Sequence, residues 1–156
     1  MPFLGAIPIN PYAYLIGKLS VFACWSSLVV RFFWSGIVWF RSPWLDVLGG
    51  VALVLGLLLM VAGAVNLGSS LRMGLPTEKT ALKTGGPYKY TRNPMYLGGL
   101  LTCFAAVAWT ANPIIFVLTV VSALVHHKIV LAEEMYLAAE FGDAWMEYSS
   151  KVRRYL

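Results

Sequence analysis

The sequence predicts an all-α, polytopic membrane protein with about four transmembrane helices. Of its 156 residues, 59% are hydrophobic and 12% are charged, whereas soluble domains average roughly 45–50% and about 25%. The apolar residues fall into four long runs, and the length suits one domain. These observations exclude a disordered chain, a coiled coil and a soluble enzyme of ordinary composition.

The first two apolar runs predict the first two helices. Residues 12–30 contain one charge, Lys18, which is close enough to the water boundary to extend its amine to it. Residues 44–67 are long enough to cross a ~30 Å hydrocarbon core. The small residues of this run recur on one face and predict a close helix contact: Gly49, Ala52, Gly56 and Gly63. The aromatic segment 31–44 predicts an interfacial connection, or a fifth helix if it re-enters the membrane.

The last two apolar runs predict a helical hairpin with an extension. Residues 95–111 and 113–130 are separated by an Asn-Pro pair, which breaks the apolar pattern. Apolar residues at helical spacing continue beyond the fourth run. We therefore expect its helix to leave the membrane and run on to about Phe141, with Gly142 as a glycine suited to the C-cap. A short amphipathic helix should follow.

The charge distribution predicts the orientation in the bilayer. The net charge is +5, and five of the twelve basic residues lie between the second and third runs. These five are Arg72, Lys79, Lys83, Lys89 and Arg92. The positive-inside rule places this segment on the cytoplasmic side, and four spans place both termini there too. Nucleic-acid binding is the weaker interpretation, because the charges flank apolar runs and form no stripe on a polar domain.

Two polar clusters beside the ends of the spans carry the candidate chemistry, since charge in a membrane protein is costly unless solvated or paired. They cover residues 85–96 and 126–148, both on the predicted cytoplasmic side. A helix that begins at Asn93-Pro94 would offer free N–H groups to an anionic ligand group. Asn112-Pro113 gives the same signal with no other polar residue nearby, so spacing alone does not separate a binding site from a plain helix start.

The adjacent carboxylates of Glu133 and Glu134 form the centre of the second cluster. Neighbouring positions on a helix point about 100° apart, so both cannot face one site, and the sequence leaves open which of them does. His126 and His127 lie seven residues earlier on the same faces, but this spacing matches neither HExxH nor ExxH. The two cysteines form no CxxC pair. We therefore predict no metal site.

The motifs of the two clusters make the chain recognisable. They are Gly86-Pro87-Tyr88, Arg92-Asn93-Pro94-Met95-Tyr96, Glu133-Glu134, Phe141-Gly142, Tyr148 and Val152. In this order they resemble the isoprenylcysteine carboxyl methyltransferase and phospholipid methyltransferase family, over about residue 82 to the C-terminus. That family consists of multi-pass membrane enzymes that use S-adenosylmethionine. The resemblance implies one membrane methyltransferase domain over 1–156, with N-terminal spans in 1–67 and the cofactor loop, hairpin and C-terminal helices in 68–156.

The resemblance also implies roles for individual residues. The cofactor-binding residues would be Gly86, Tyr88, Asn93, Pro94, Tyr96 and Glu133. The catalytic residues would be Arg92, Glu134 and Arg154. Asn93 stands where the family usually has His, and an amide cannot take up a proton at neutral pH. We therefore expect no general base at this position.

The methyl acceptor implied by the resemblance is a hydrophobic or lipid-linked molecule that reaches the site from the lipid bilayer. A prenylated cysteine carboxylate is ionised at pH 7 and needs no base. A phospholipid amine or a small thiol is the alternative, and its proton would pass to Glu133, Glu134 or His126. Two other classes stay open: an NADPH-dependent membrane reductase, whose family shares a similar C-terminal pattern, and a non-catalytic membrane protein, which the glycine stripe would equally suit.

Overall fold

The computed structural model describes residues 7–71 and 81–155, and every regular element in these ranges is helical. The α-helices are α1 (Pro11–Phe33), α2 (Pro43–Leu67), α3 (Pro94–Thr110) and α4 (Pro113–Lys151). Helices α1, α2 and α4 are long and apolar enough to cross a membrane, and α3 is apolar but shorter. The predicted all-α membrane fold is confirmed. Arg72 and Lys79, which contributed to the predicted orientation, lie outside the described residues.

Each α-helix begins at a proline that follows an asparagine or a serine. Proline suits the first helical position because it lacks the N–H that would otherwise stay unpaired there. The Asn10 side chain accepts a hydrogen bond from Tyr12 N at 2.9 Å, and Asn112 accepts one from Ile114 N at the same distance. These local signals explain why the helix starts can be read from the sequence.

The aromatic segment 31–44 connects α1 to α2 at the end of the bundle where α3 turns into α4. Between the end of α1 and the start of α2, the segment contains a 3-10 turn, Ser35–Ile37, followed by an extended stretch. Trp39 N donates to the Thr110 carbonyl at 2.8 Å, and Asn112 Nδ2 donates to the Ile37 carbonyl at 3.1 Å. The segment forms no fifth spanning helix. Its large rings are mostly exposed, as in an interfacial belt.

The small-residue stripe of α2 packs against α3, as predicted. The two helices come closest at Gly56 and Gly98. A Cβ atom at Gly56 would lie 2.7 Å from the Gly98 carbonyl oxygen, and one at Gly98 would lie 2.5 Å from the Gly56 carbonyl oxygen. Since both obstacles are backbone atoms, no side chain can move aside to make room. The contact fixes α2 and α3 as a tight pair.

Gly98→Ala should therefore destabilise the fold, whereas the neighbouring Gly99→Ala should not. A Cβ at Gly99 has nothing within 4 Å, so the second variant adds the same methyl group without a clash. We expect Gly98→Ala to lower the free energy of unfolding by about 2 kcal/mol, a usual cost of overpacking. Thermal unfolding of both variants in one detergent measures the difference. Equal stabilities would contradict the backbone contact.

Helix α1 packs on α3 and α4, and α2 packs on α3. Cys24 and Cys103 are fully buried in the core between α1, α3 and α4, consistent with their interpretation as small buried residues. Trp25 Nε1 donates to Thr102 Oγ1 at 2.8 Å and ties α1 to α3. An apolar cavity of about 330 Å³ lies between α1, α2 and α3. The two N-terminal helices thus flank α3 with a groove between them.

Helix α4 continues beyond its apolar part, and its regular backbone breaks at Gly142. This residue has φ 47° and ψ −121°, a conformation that glycine adopts without a Cβ clash. The predicted end of the long helix at Gly142 is confirmed. The short helical segment that follows buries Trp145 and Tyr148 against the rest of the chain. The break therefore turns the C-terminal residues back towards the loop that precedes α3.

Candidate active site

The loop before α3 is shaped by a tight turn. Gly86 has φ +53°, and a Cβ there would lie 2.7 Å from Asn66 Nδ2 on α2. The backbone conformation therefore favours glycine, and a Cβ there would also displace the Asn66 amide. The turn carries Tyr88 into the interior, where Tyr148 Oη donates to the Tyr88 carbonyl at 2.7 Å. Gly86 thus sets the course of the loop that brings Tyr88 to the site.

Arg92, Glu134 and Arg154 form a cluster that we call the C-terminal latch. Arg92 binds Glu134 through two bonds, Nε to Oε1 at 3.0 Å and Nη2 to Oε2 at 3.2 Å. Arg154 donates from Nη2 and Nε to Oε2 of the same carboxylate at 2.8 and 3.0 Å. Arg92 Nη1 also donates to the carbonyls of Ser149 and Val152, both at 2.8 Å. The latch therefore joins the loop, α4 and the C-terminal segment.

The side chain of Asn93 belongs to this assembly and does not cap α3. Its Nδ2 donates to the Arg154 carbonyl at 3.2 Å and to Glu134 Oε1 at 3.5 Å. Asn112, in the matching Asn-Pro pair, instead caps its own helix. The structure thus separates two signals that look alike in the sequence. It also leaves the first turn of α3 without a side-chain cap.

Glu133 points away from the latch and accepts a 2.6 Å hydrogen bond from Tyr96 Oη. The Tyr96 and His126 rings lie 5.9 Å apart, and His126 Nδ1 is 2.8 Å from the Ser122 carbonyl oxygen. The two adjacent carboxylates therefore serve different partners, as their angular separation on a helix requires. No group of three His, Cys, Asp or Glu side chains that could hold a metal occurs among the described residues.

A cavity of about 450 Å³ lies where these elements meet. Its polar wall includes six of the nine predicted site residues: Tyr88, Arg92, Asn93, Tyr96, Glu133 and Glu134. Its apolar wall includes Val21, Phe22, Trp25, Met60 and Leu100. Phe22 is also 65% exposed, so the apolar end of the cavity reaches the surface of the bundle. The cavity therefore joins a polar pocket to the lipid-facing side of the helices.

Three predicted residues, Gly86, Pro94 and Arg154, are not among the described residues that line this cavity. Gly86 shapes the loop, Pro94 is fully buried at the start of α3, and Arg154 binds Glu134 from the C-terminal side. Their predicted roles in binding and catalysis stay predictions. In the structure, each of the three either lies within two residues of one that lines the cavity or is hydrogen-bonded to one.

Several lining residues lie outside the motifs that the sequence offered. Helix α1 contributes Lys18 and Trp25, and the short C-terminal helix contributes Trp145, whose ring centroid is 5.6 Å from Arg92 Cζ. Lys18 was visible as a single charge inside an apolar run, but the sequence pattern does not show which face of α1 meets the site. Which face of α1 meets the site depends on its packing against parts of the chain that are distant in sequence.

The electrostatics of the loop and C-terminal segment keep their polar groups in one protonation state. Burial, followed by the neighbouring Tyr148, raises the pKa of Tyr88 well above the ordinary value for a phenol. The hydrogen bond with Glu134 raises the pKa of Arg154 further above that of a free guanidinium. Tyr88 is therefore a neutral hydrogen-bonding group at physiological pH, and Arg154 is a permanent cation.

Comparisons with known proteins identify the family of this chain. The family model described as phospholipid methyltransferase matches residues 44–144, about two thirds of the chain. A protein-S-isoprenylcysteine O-methyltransferase of Xenopus laevis is 28% identical over 116 residues, which is 72% of this chain and 40% of that protein. An uncharacterised protein of Haemophilus influenzae is 38% identical over 63 residues, which is 40% of this chain and the whole of that relative. The chain thus spans two fifths of the Xenopus relative, and it belongs to the phospholipid methyltransferase family.

Proposed function

We propose that the chain is an S-adenosylmethionine-dependent methyltransferase that acts on a hydrophobic or lipid-linked acceptor, in the manner of isoprenylcysteine carboxyl O-methyltransferases. The observation that carries this proposal is the cavity of about 450 Å³, with six of the predicted polar residues on one wall and apolar residues of α1 and α2 on the other. A polar cofactor and a lipid-linked acceptor could meet there. The whole chain, residues 1–156, would act as one methyltransferase domain.

The polar wall suits the cofactor. The cavity volume of about 450 Å³ lies within the range of small-molecule sites, roughly 300–1,000 Å³. Tyr88, Asn93, Tyr96 and Glu133 would hold the cofactor, since phenol, amide and carboxylate groups match a ligand with hydroxyl, carboxylate and cationic groups. The uncapped first turn of α3 would accept its carboxylate. When bound, S-adenosylmethionine supplies a methyl group on a positively charged sulfur.

The latch would act by positioning. Most N–H groups of Arg92 are already used for Glu134 and for two backbone carbonyls. These contacts hold the C-terminal segment so that Trp145 and Tyr148 stay in the cavity wall. A closed wall excludes water, and methyl transfer to an anion is favoured when the acceptor loses its water shell. The predicted catalytic role of the latch is thus proposed as the support of a dry, fixed site.

The apolar wall favours an acceptor that arrives from the bilayer. An apolar chain could lie along Val21, Phe22 and Trp25, while the reacting group meets the polar wall. A carboxylate acceptor gains the methyl group on oxygen, and no proton has to be removed. The Xenopus relative is named for such a reaction. We also propose that the site faces the cytoplasm, as the basic residues Lys83, Lys89 and Arg92 favour.

Ligand binding and product chemistry test this function together. Calorimetry in detergent should show binding of S-adenosylhomocysteine and none of NADPH. Membranes incubated with methyl-labelled cofactor should then yield a lipid-extractable product that releases labelled methanol in base, as a methyl ester does. A base-stable label would identify an amine or thiol acceptor instead. Folded protein that binds no S-adenosylhomocysteine would contradict the proposed function.

A further inference from the structure

Lys18 is the one charged residue of the apolar stretch 12–30 of α1. It lies seven residues after Pro11, about 10 Å along α1. Its Nζ is 5.1 Å from the centroid of the Tyr14 ring on the same helix. In the part of the chain that the structure describes, no carboxylate comes within salt-bridge distance of it. A charged residue within an apolar span is commonly functional, so the position needs an explanation.

The carboxylates of the cavity do not supply a full partner for Lys18. Glu134 is held by two arginines in the latch. Glu133 interacts electrostatically with Lys18, but its closest hydrogen bond is the one from Tyr96. An ammonium group has three N–H donors. Lys18 therefore retains donor capacity for an anionic ligand group.

The surroundings of Lys18 show what kind of ligand would bring this anion. Lys18, Val21, Phe22 and Trp25 follow one another at helical spacing on one face of α1, and all four line the cavity. A positive charge thus stands at the head of an apolar strip. That order matches an amphiphile whose acidic group is followed by a long hydrocarbon chain.

We propose that Lys18 binds the carboxylate of the lipid-linked acceptor and selects acidic acceptors over neutral ones. The inference rests on the proposed function, which it extends by naming a specificity-determining residue. One carboxylate oxygen would accept from the Lys18 ammonium, and the other would be free to take the methyl group as the S–CH₃ bond of the cofactor breaks and neutral S-adenosylhomocysteine leaves. The hydrocarbon chain lies along Val21, Phe22 and Trp25 towards the bilayer.

The test compares two probes that differ only in charge, a prenylcysteine carboxylate and its carboxamide. Their affinities are measured for the wild-type chain and for Lys18→Gln, Lys18→Arg and Lys128→Gln. Lys128 is an exposed cation of α4 and serves as the matched control. The wild type and the control should prefer the carboxylate by about tenfold, the usual effect of a charge-assisted hydrogen bond. Lys18→Gln should lose the preference, and Lys18→Arg should keep most of it.

Binding of S-adenosylhomocysteine, measured on the same samples, shows that each variant is folded and should be unchanged in Lys18→Gln. A Lys18→Gln variant that retains the full carboxylate preference would overturn the inference, and so would a wild type without any preference. Both results would leave the proposed methyltransferase standing. Absent cofactor binding in the wild type would instead overturn the proposed function, while the probe preference would still decide the role of Lys18.

Discussion

Glu134→Gln should open the C-terminal latch and abolish most turnover. The Glu134 carboxylate accepts four hydrogen bonds from Arg92 and Arg154, and the side chains of Arg92 and Glu134 are only 11% and 12% exposed. Glutamine offers one acceptor oxygen and turns an NH₂ group towards the guanidinium donors. Breaking a largely buried ion pair costs about 3 kcal/mol or more, because the remaining charges lose their partner.

Turnover should fall at least about a hundredfold, the effect expected when a catalytic geometry shifts by around 1 Å. Thermal unfolding, turnover and limited proteolysis of the C-terminal segment measure the consequences. Glu147→Gln is the matched control, because Glu147 is exposed and pairs only with Lys151 one turn away. Such surface pairs contribute little to stability. If the two variants behaved alike, the latch would not hold the site.

Glu133→Gln should weaken binding of S-adenosylmethionine by about ten- to a hundredfold, the worth of one or two charge-assisted hydrogen bonds. Of the two cavity glutamates, Glu133 has no arginine partner among residues 7–71 and 81–155, so it is the one suited to attract a cationic ligand. S-adenosylhomocysteine lacks the sulfonium charge, and its affinity should fall less. The ratio of the two affinities separates a charge effect from a general disturbance of the pocket.

Two further variants complete that measurement by calorimetry. Tyr96→Phe removes the hydrogen bond to Glu133 but keeps the carboxylate, so the preference for the cationic ligand should persist. Glu140→Gln changes an exposed carboxylate of α4 and should alter neither affinity. A Glu133→Gln variant that binds both ligands as tightly as the wild type would remove Glu133 from the proposed cofactor site.

Most of the fold could be predicted because strong local signals mark the helices. The run predicted over residues 44–67 agrees closely with α2 (Pro43–Leu67). The run predicted over residues 95–111 agrees closely with α3 (Pro94–Thr110). A proline after an asparagine or a serine marks each start, and the apolar run sets the length. The glycine stripe likewise identified the contact face of α2, because only small residues allow backbones to approach so closely.

The candidate site could be predicted only where its residues lie in short motifs. Tyr88, Asn93 and Tyr96 belong to such a motif and line the cavity. The partners of the two adjacent glutamates depend on how the C-terminal segment folds back, and this follows from tertiary packing. The contribution of α1 was not predictable for the same reason. Lys18 meets its neighbours on α4 across more than a hundred residues of chain.

The backbone contact between Gly56 and Gly98 determines which part of the bundle can yield. Because the obstacles at this contact are main-chain atoms, side-chain rotamers cannot relieve a change in the spacing of α2 and α3 there. Helix α1 packs against α3 and α4 through side chains, and the Trp25–Thr102 hydrogen bond is one of its ties to α3. A bulky ligand that widens the groove should therefore displace side chains of α1 more readily than it separates α2 from α3.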